Sequence, residues 1–306
     1  MKRVDRAEAA ESVAGPPPRV DAHHHVWDLS VRDQPWTRDL PVLRRDFTMT
    51  DLAPQLDAHG IDATVVVETV DSADETVELL RLYARDIRVA GVVGWAELTA
   101  PDLAGTLDRL RAAEGGTGLV GLRHQVQLEP PGAAEGDWLL RPDVAAGLDV
   151  LGDRGLVFDL IVTAAQLPSA IEAVRRHAGT SFVLDHAGKP PIAAGAIEPW
   201  ATHIAELAAL PNVAVKFSGL LTEAGHGQRD AEHLLPYARP LLEEFGARRL
   251  MFGSDWPVCT LAADYGHTLS ITAALLETLD DADRAAVYGG TASRWYGLAV
   301  GSGAAA

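Results

Sequence analysis

The stretch Val20-Asp21-Ala22-His23-His24-His25-Val26-Trp27-Asp28 runs from a short apolar segment into three consecutive histidines. It reads as a β-strand whose C-terminal end carries chemistry. A dinucleotide-binding first strand would enter a Gly-x-Gly-x-x-Gly turn, and none follows here, which argues against an open doubly wound sheet. Arg19–His25 is the first of eight similar runs, the others being Ala63–Thr69, Val89–Glu97, Leu119–Gln125, Val157–Val162, Phe182–His186, Val213–Gly219 and Leu250–Asp255. Most are almost continuously hydrophobic, as parallel strands covered on both faces should be. Between them, Thr76–Arg85, Ala104–Ala113, Leu167–Ala178, His203–Leu210 and Pro236–Phe245 carry apolar residues three and four apart and read as helices. Eight strands alternating with helical stretches predict an α/β fold made of a single (β/α)8 barrel.

The bulk properties fit that reading. The chain has 306 residues, 47% of them hydrophobic, enough for one large core, and no break in composition marks a second domain. We expect the barrel over residues 19–298, between flexible ends at 1–18 and 299–306. The formal charge of −17 repels phosphate backbones and anionic lipid, which counts against nucleic-acid and membrane-surface partners. Cys259 is the single cysteine, so no intrachain disulfide can form, and it is expected to be buried. The N-terminal segment lacks the apolar centre of a signal peptide, and the expected compartment is the cytoplasm. A homodimer is the default assembly for such an enzyme. Two connections, Trp27–Phe47 and Glu129–Asp143, are too long for tight turns and suit lids or binding loops.

In a barrel of this kind the reactive groups stand at the C-terminal strand ends. Those ends carry His23-His24-His25, Glu68, Glu97, Arg123-His124, Asp185-His186, Lys216 with Ser218, and Ser254-Asp255-Trp256. Solvated charges explain one or two such ends; their coincidence around the barrel points to a pocket. Side chains alternate along a strand, so His23 and His25 share a face and His24 takes the other. His23, His25, His186 and Asp255 together could hold one metal ion and leave a position for water. His59, His177, His203, His226, His233 and His267 stand in helical or loop context and read as ordinary residues, with His226 the nearest to the reactive face.

These elements, with Gly121-Leu122-Arg123-His124, Leu184-Asp185-His186-Ala187-Gly188-Lys189-Pro190, Lys216-Phe217-Ser218-Gly219-Leu220 and Phe252-Gly253-Ser254-Asp255-Trp256-Pro257, resemble the amidohydrolase superfamily. The likeness is to its amidohydrolase-related branch of sugar-acid lactonases and runs from about Arg19 to Gly297. It implies a barrel that hydrolyses a lactone, with Asp255 as base and His23, His25 and His186 as the partner histidines. It also implies one divalent ion, zinc for preference, or none, since the branch has members of both kinds. The lysine that bridges two metals in other members would end strand four, where Arg123-His124 stands, so a two-metal centre is not expected. Trp27, Glu68, Arg123, His124 and Trp256 are the expected contacts to substrate. Lys216 could orient Asp255, bind a carboxylate or form a structural salt bridge. Related barrels with the same histidine pair decarboxylate aromatic or unsaturated acids, which makes that reaction the alternative. A lactone from aromatic degradation is another, and a non-catalytic binding barrel would have lost one of the four centre residues.

Overall fold

All eight runs form parallel strands: β1 Val20–His24, β2 Ala63–Val67, β3 Val89–Gly94, β4 Leu119–His124, β5 Val157–Leu160, β6 Ser181–Leu184, β7 Val213–Phe217 and β8 Leu250–Phe252. They hydrogen-bond in sequence order. The ring closes just beyond β8, where Asp255 N donates to His23 O (2.8 Å) and His25 N donates to Trp256 O (2.7 Å). The structure, a computed structural model, describes residues 18–129 and 137–300. Of the expected flexible ends at 1–18 and 299–306, residues 1–17 and 301–306 lie outside the described residues, as does part of the long connection after β4.

A helix follows each strand: α1 Met49–His59, α2 Ala73–Arg85, α3 Leu103–Ala112, α4 Pro142–Asp153, α5 Leu167–Arg176, α6 Trp200–Ala208, α7 Ala231–Phe245 and α8 Tyr265–Leu275. The amphipathic pattern is plain in α5, which buries Leu167, Ala170, Ile171 and Val174 against the strands. α1 begins at a capping box between Thr48 and Asp51 and ends at Gly60, whose φ of 60° suits a residue without Cβ. α7 starts five residues earlier than the spacing predicted, because the Asp230 side chain caps it by accepting from His233 N.

Two apolar layers result. Small residues such as Ala22, Ala63, Val65, Val67, Val93, Val157 and Ala214 fill the barrel interior, while Leu122, Phe158, Phe182, Phe217 and Phe252 face the helices. Each fully buried large side chain contributes about 1.5–3 kcal/mol. The N-terminal mouth is plugged by the helix Thr291–Tyr296: Ala292 and Tyr296 join the interior layer, and Trp295 Nε1 donates to Phe182 O (3.0 Å). Cys259 is buried. Among the described residues no helix is long and apolar enough to cross a membrane.

Candidate active site

The histidine strand does not alternate regularly. Val20 and Ala22 point into the barrel, and so does His23, which strict alternation forbids. The pairing of β1 with β2 slips between Asp21 and His24, a β-bulge that flips the face of everything after it. Past the bulge, His23 and His25 lie on the inner face with their Nε2 atoms 3.1 Å apart. His24 turns outward, its Nε2 2.9 Å from Thr64 Oγ1. Gly253 makes room for this bulge, since a Cβ there would stand 2.8 Å from the His23 Cβ.

His186 and Asp255 complete a tight centre. Asp255 Oδ1 lies 3.5 Å from His25 Nε2, 3.7 Å from His23 Nε2 and 4.0 Å from His186 Nε2. Ligand atoms 2.0–2.1 Å from a tetrahedral ion would be about 3.3 Å apart, so this spacing suits one divalent metal. The Nδ1 atoms face away and are held. His25 Nδ1 donates to Val67 O (2.8 Å), which leaves the lone pair of Nε2 aimed at the centre. His186 Nδ1 is 2.9 Å from Ser218 Oγ. His23 Nδ1 is 3.4 Å from Asp185 Oδ1, a buried oxygen that also lies 2.9 Å from Lys216 Nζ. A proton on His23 Nδ1 would face that oxygen and free Nε2 for a metal, the tautomer that liganding histidines adopt, provided the Lys216 ammonium 3.0 Å away turns its protons to Asp159 and Asp185. Gly219, with φ 73°, lets the chain pass under His186, whose Cβ would be 2.6 Å from any added methyl.

Behind the centre lies a buried ionic layer. Lys216, fully buried, is 2.5 Å from Asp159 Oδ2 and 2.9 Å from Asp185 Oδ1, and its Nζ reaches 3.0 Å from His23 Nδ1. Tyr296 donates to Asp159 from the plug below (2.9 Å). Arg123 donates to Glu68 Oε1 (2.7 Å), Glu68 O (2.5 Å) and Asp185 Oδ2 (3.0 Å). Four carboxylates, Glu68, Asp159, Asp185 and Asp255, thus face two cations, Arg123 and Lys216.

Titration follows from this burial. Burial drives His23 well below the ordinary imidazole range, helped by Lys216, and takes His186 down to about 4. Burial raises Asp255, but His186, His25 and Lys189 together outweigh it and hold the carboxyl below its usual range. Burial lifts Glu68 to about 7 and Asp159 to about 6 against the pull of their cations. Neutral imidazoles around an ionised carboxylate are a donor set ready for a metal.

Above the centre opens a cavity of about 500 Å³, whose lining includes His25, Arg123, His186, Asp255, Lys189 and Glu223. The remaining expected contacts lie elsewhere. Glu68 is buried behind Arg123. His124 stacks on Trp138 at 4.0 Å and lies 3.0 Å from Glu129, steadying the connection after β4. Trp27 donates from Nε1 to Arg45 O (2.7 Å), and both Trp27 and Trp256 pack edge-on against Phe47, with ring centroids 5.1 and 5.4 Å away. These rings form the small core of the Trp27–Phe47 loop, so of that loop's tryptophans it is Trp36 that lines the cavity. Glu97 folds back on Thr99, and His226 is exposed on the loop before α7. Asp159 drew no attention in the sequence; its signal is a lone carboxylate inside the apolar run Val157-Phe158-Asp159-Leu160.

A family model described as Amidohydrolase matches residues 20–298. The chain belongs to this family. Two curated relatives extend the match over nearly the whole chain. The L-fucono-1,5-lactonase of Burkholderia multivorans is 40% identical over 291 residues, 92% of this chain and 96% of the relative. That of Burkholderia ambifaria is 38% identical, covering 93% and 97%. A crystal structure of an amidohydrolase from Burkholderia multivorans with bound zinc is 39% identical, with a TM-score of 0.85 over 92% of this chain and 99% of that one. This amidohydrolase therefore shares its barrel with the zinc-bound amidohydrolase and its chain-long sequence pattern with the two lactonases.

Proposed function

We propose that this amidohydrolase opens a neutral sugar-acid 1,5-lactone by water attack, with Asp255 as the proton acceptor. The observation that carries the reading is the centre itself: an ionised carboxylate beside three buried imidazoles, opening on a cavity whose lining sets Asp71 and Glu223 against Arg123 and Lys189. The lactonase relatives support the same chemistry. A divalent ion, zinc by likeness to the zinc-bound relative, would be held by His23, His25 and Asp255, with His186 Nε2 4.0 Å from Asp255 beside them, and would polarise the lactone carbonyl and acidify water.

The residues divide the work. Asp255 takes a proton from water as its oxygen attacks the carbonyl carbon. Collapse of the tetrahedral adduct breaks the bond to the ring oxygen, which recovers the proton from Asp255. Ser218, Val67 and Asp185 fix the three imidazoles so that the carbonyl meets a preorganised centre. Arg123 and Lys216 keep the buried carboxylates in place and do not move protons.

Decarboxylation of an aromatic or unsaturated acid fits less well. An anionic substrate needs uncommitted cations, yet Arg123 is spent on Glu68 and Asp185. The cavity's other cation, Lys189, already faces Gln127 and Glu223, and Asp71, Glu223 and Asp255 line the same cavity and would repel a carboxylate. A pH-indicator assay over a panel of aldono-1,5-lactones, L-fuconolactone included, tests the reading, beside carbon dioxide release from aromatic acids. Acid production from one or more sugar lactones is expected. Carbon dioxide release with no lactone turnover would overturn it.

A further inference from the structure

Four non-glycine residues among those described have φ in the left-handed region: His186 (50°), Ala187 (52°), Lys189 (51°) and Asp255 (57°). L-residues avoid this region, and such strain is retained where function requires it. With Gly188 at 67°, residues 186–189 form one turn of left-handed helix. That turn sets His186 and Lys189, three apart, on the cavity wall together. His186 and Asp255 belong to the centre. Lys189 is the strained cavity residue that the mechanism above leaves without a task.

Its surroundings suggest one. Lys189 Nζ donates to Gln127 Oε1 (2.5 Å) and stands 4.0 Å from Glu223 Oε1. The second distance is too long for a hydrogen bond. It is right for a hydroxyl that bridges the two, accepting from the ammonium and donating to the carboxylate. A substrate carboxylate could take the ammonium only by facing Glu223, and an ammonium could take Glu223 only by facing Lys189. A neutral hydroxyl satisfies both.

We infer that Lys189 and Glu223 form a slot that reads a hydroxyl group of the substrate and so selects polyhydroxylated neutral lactones over bare or carboxylated ones. The slot lies beside the lactonase centre and rests on that reading for the ring it would align. Its contribution is specificity, because a site built to bond a hydroxyl is left with unpaired charges when the hydroxyl is missing.

The test separates the slot from the reaction. A polyhydroxylated δ-lactam, shaped like the lactone but resistant to hydrolysis, and the unsubstituted δ-lactam are titrated calorimetrically into wild type, Lys189→Met and Glu223→Gln. Methionine keeps a Cβ at the left-handed position, so the backbone cost is unchanged, and thermal melting checks the fold of both variants. The hydroxylated lactam should bind wild type more tightly, and each variant should weaken it about tenfold to a hundredfold, the size of one hydrogen bond to a charged group. The bare lactam should bind all three proteins alike. Equal weakening of both lactams, no weakening, or a wild type that does not prefer the hydroxylated compound would overturn the slot. Lactone turnover by wild type is measured alongside: its absence with the lactam preference intact would count against the lactonase reading alone.

Discussion

Replacing Lys216 with methionine tests the buried ionic layer. The ammonium is fully buried and compensates Asp159 at 2.5 Å and Asp185 at 2.9 Å. Methionine fills much the same volume but leaves both carboxylates in a low-dielectric interior. Asp185 retains Arg123 at 3.0 Å, whereas Asp159 keeps only the Tyr296 hydroxyl at 2.9 Å. Removing one partner of a buried pair costs about 3–5 kcal/mol, because the surviving charge is stranded. In a domain this large that corresponds to a melting temperature lower by roughly 6–10 °C. Adding Asp159→Asn removes the stranded charge, so the double variant should recover about half the loss in urea unfolding, a coupling of about 2 kcal/mol. The single variant should also be less stable at pH 8 than at pH 5, since a stranded Asp159 is relieved by protonation. A single variant within about 1 kcal/mol of wild type, or a double variant no better than the single, would refute the claim that Lys216 neutralises Asp159.

Three further outcomes follow from the site. Chelation should abolish most lactone turnover and lower the melting temperature, with zinc restoring both, because an ion held by His23, His25 and Asp255 stabilises the folded state that binds it; undiminished activity in metal-free protein would count against a metal. The acid limb of kcat/KM should fall below about pH 5, since His186 stays neutral down to about 4 and Asp255 stays ionised below the usual carboxylate range, both being lost as pH falls through those values; a limb centred near 6.5 would mean that His186 titrates as an exposed imidazole. Gly219→Ala should lower kcat by about a hundredfold by pushing His186 off its position, on top of the strain of φ 73°, and a variant with unaltered kcat would show that His186 tolerates the shift.

The barrel was legible because parallel strands covered on both faces need continuous apolar runs, and all eight stand out in the sequence. Helices fared less evenly. α1 contains Pro54, which reads as a breaker, and α8 buries Thr268 and Thr272 beside Leu269 and Leu275, which blurs its apolar face. At the centre, strand-end position placed His23, His25, His186 and Asp255 in the expected pocket, while the bulge that turns His23 inward has no sequence signature. Trp27 and Trp256 both pack edge-on against Phe47 and help give the long loop a core of its own, and aromatic residues at a barrel mouth serve such packing as readily as they serve a sugar. Asp159, Lys189 and Glu223 depend on contacts between distant segments, and spacing along the chain carries no trace of those.

The most direct test of the account is the turnover of a sugar 1,5-lactone by Asp255→Asn. Asparagine keeps the shape of the side chain and removes the proton acceptor. The account predicts kcat lower by about 10²–10⁴-fold, with affinity for the hydroxylated lactam close to that of wild type. Turnover within tenfold of wild type would contradict it.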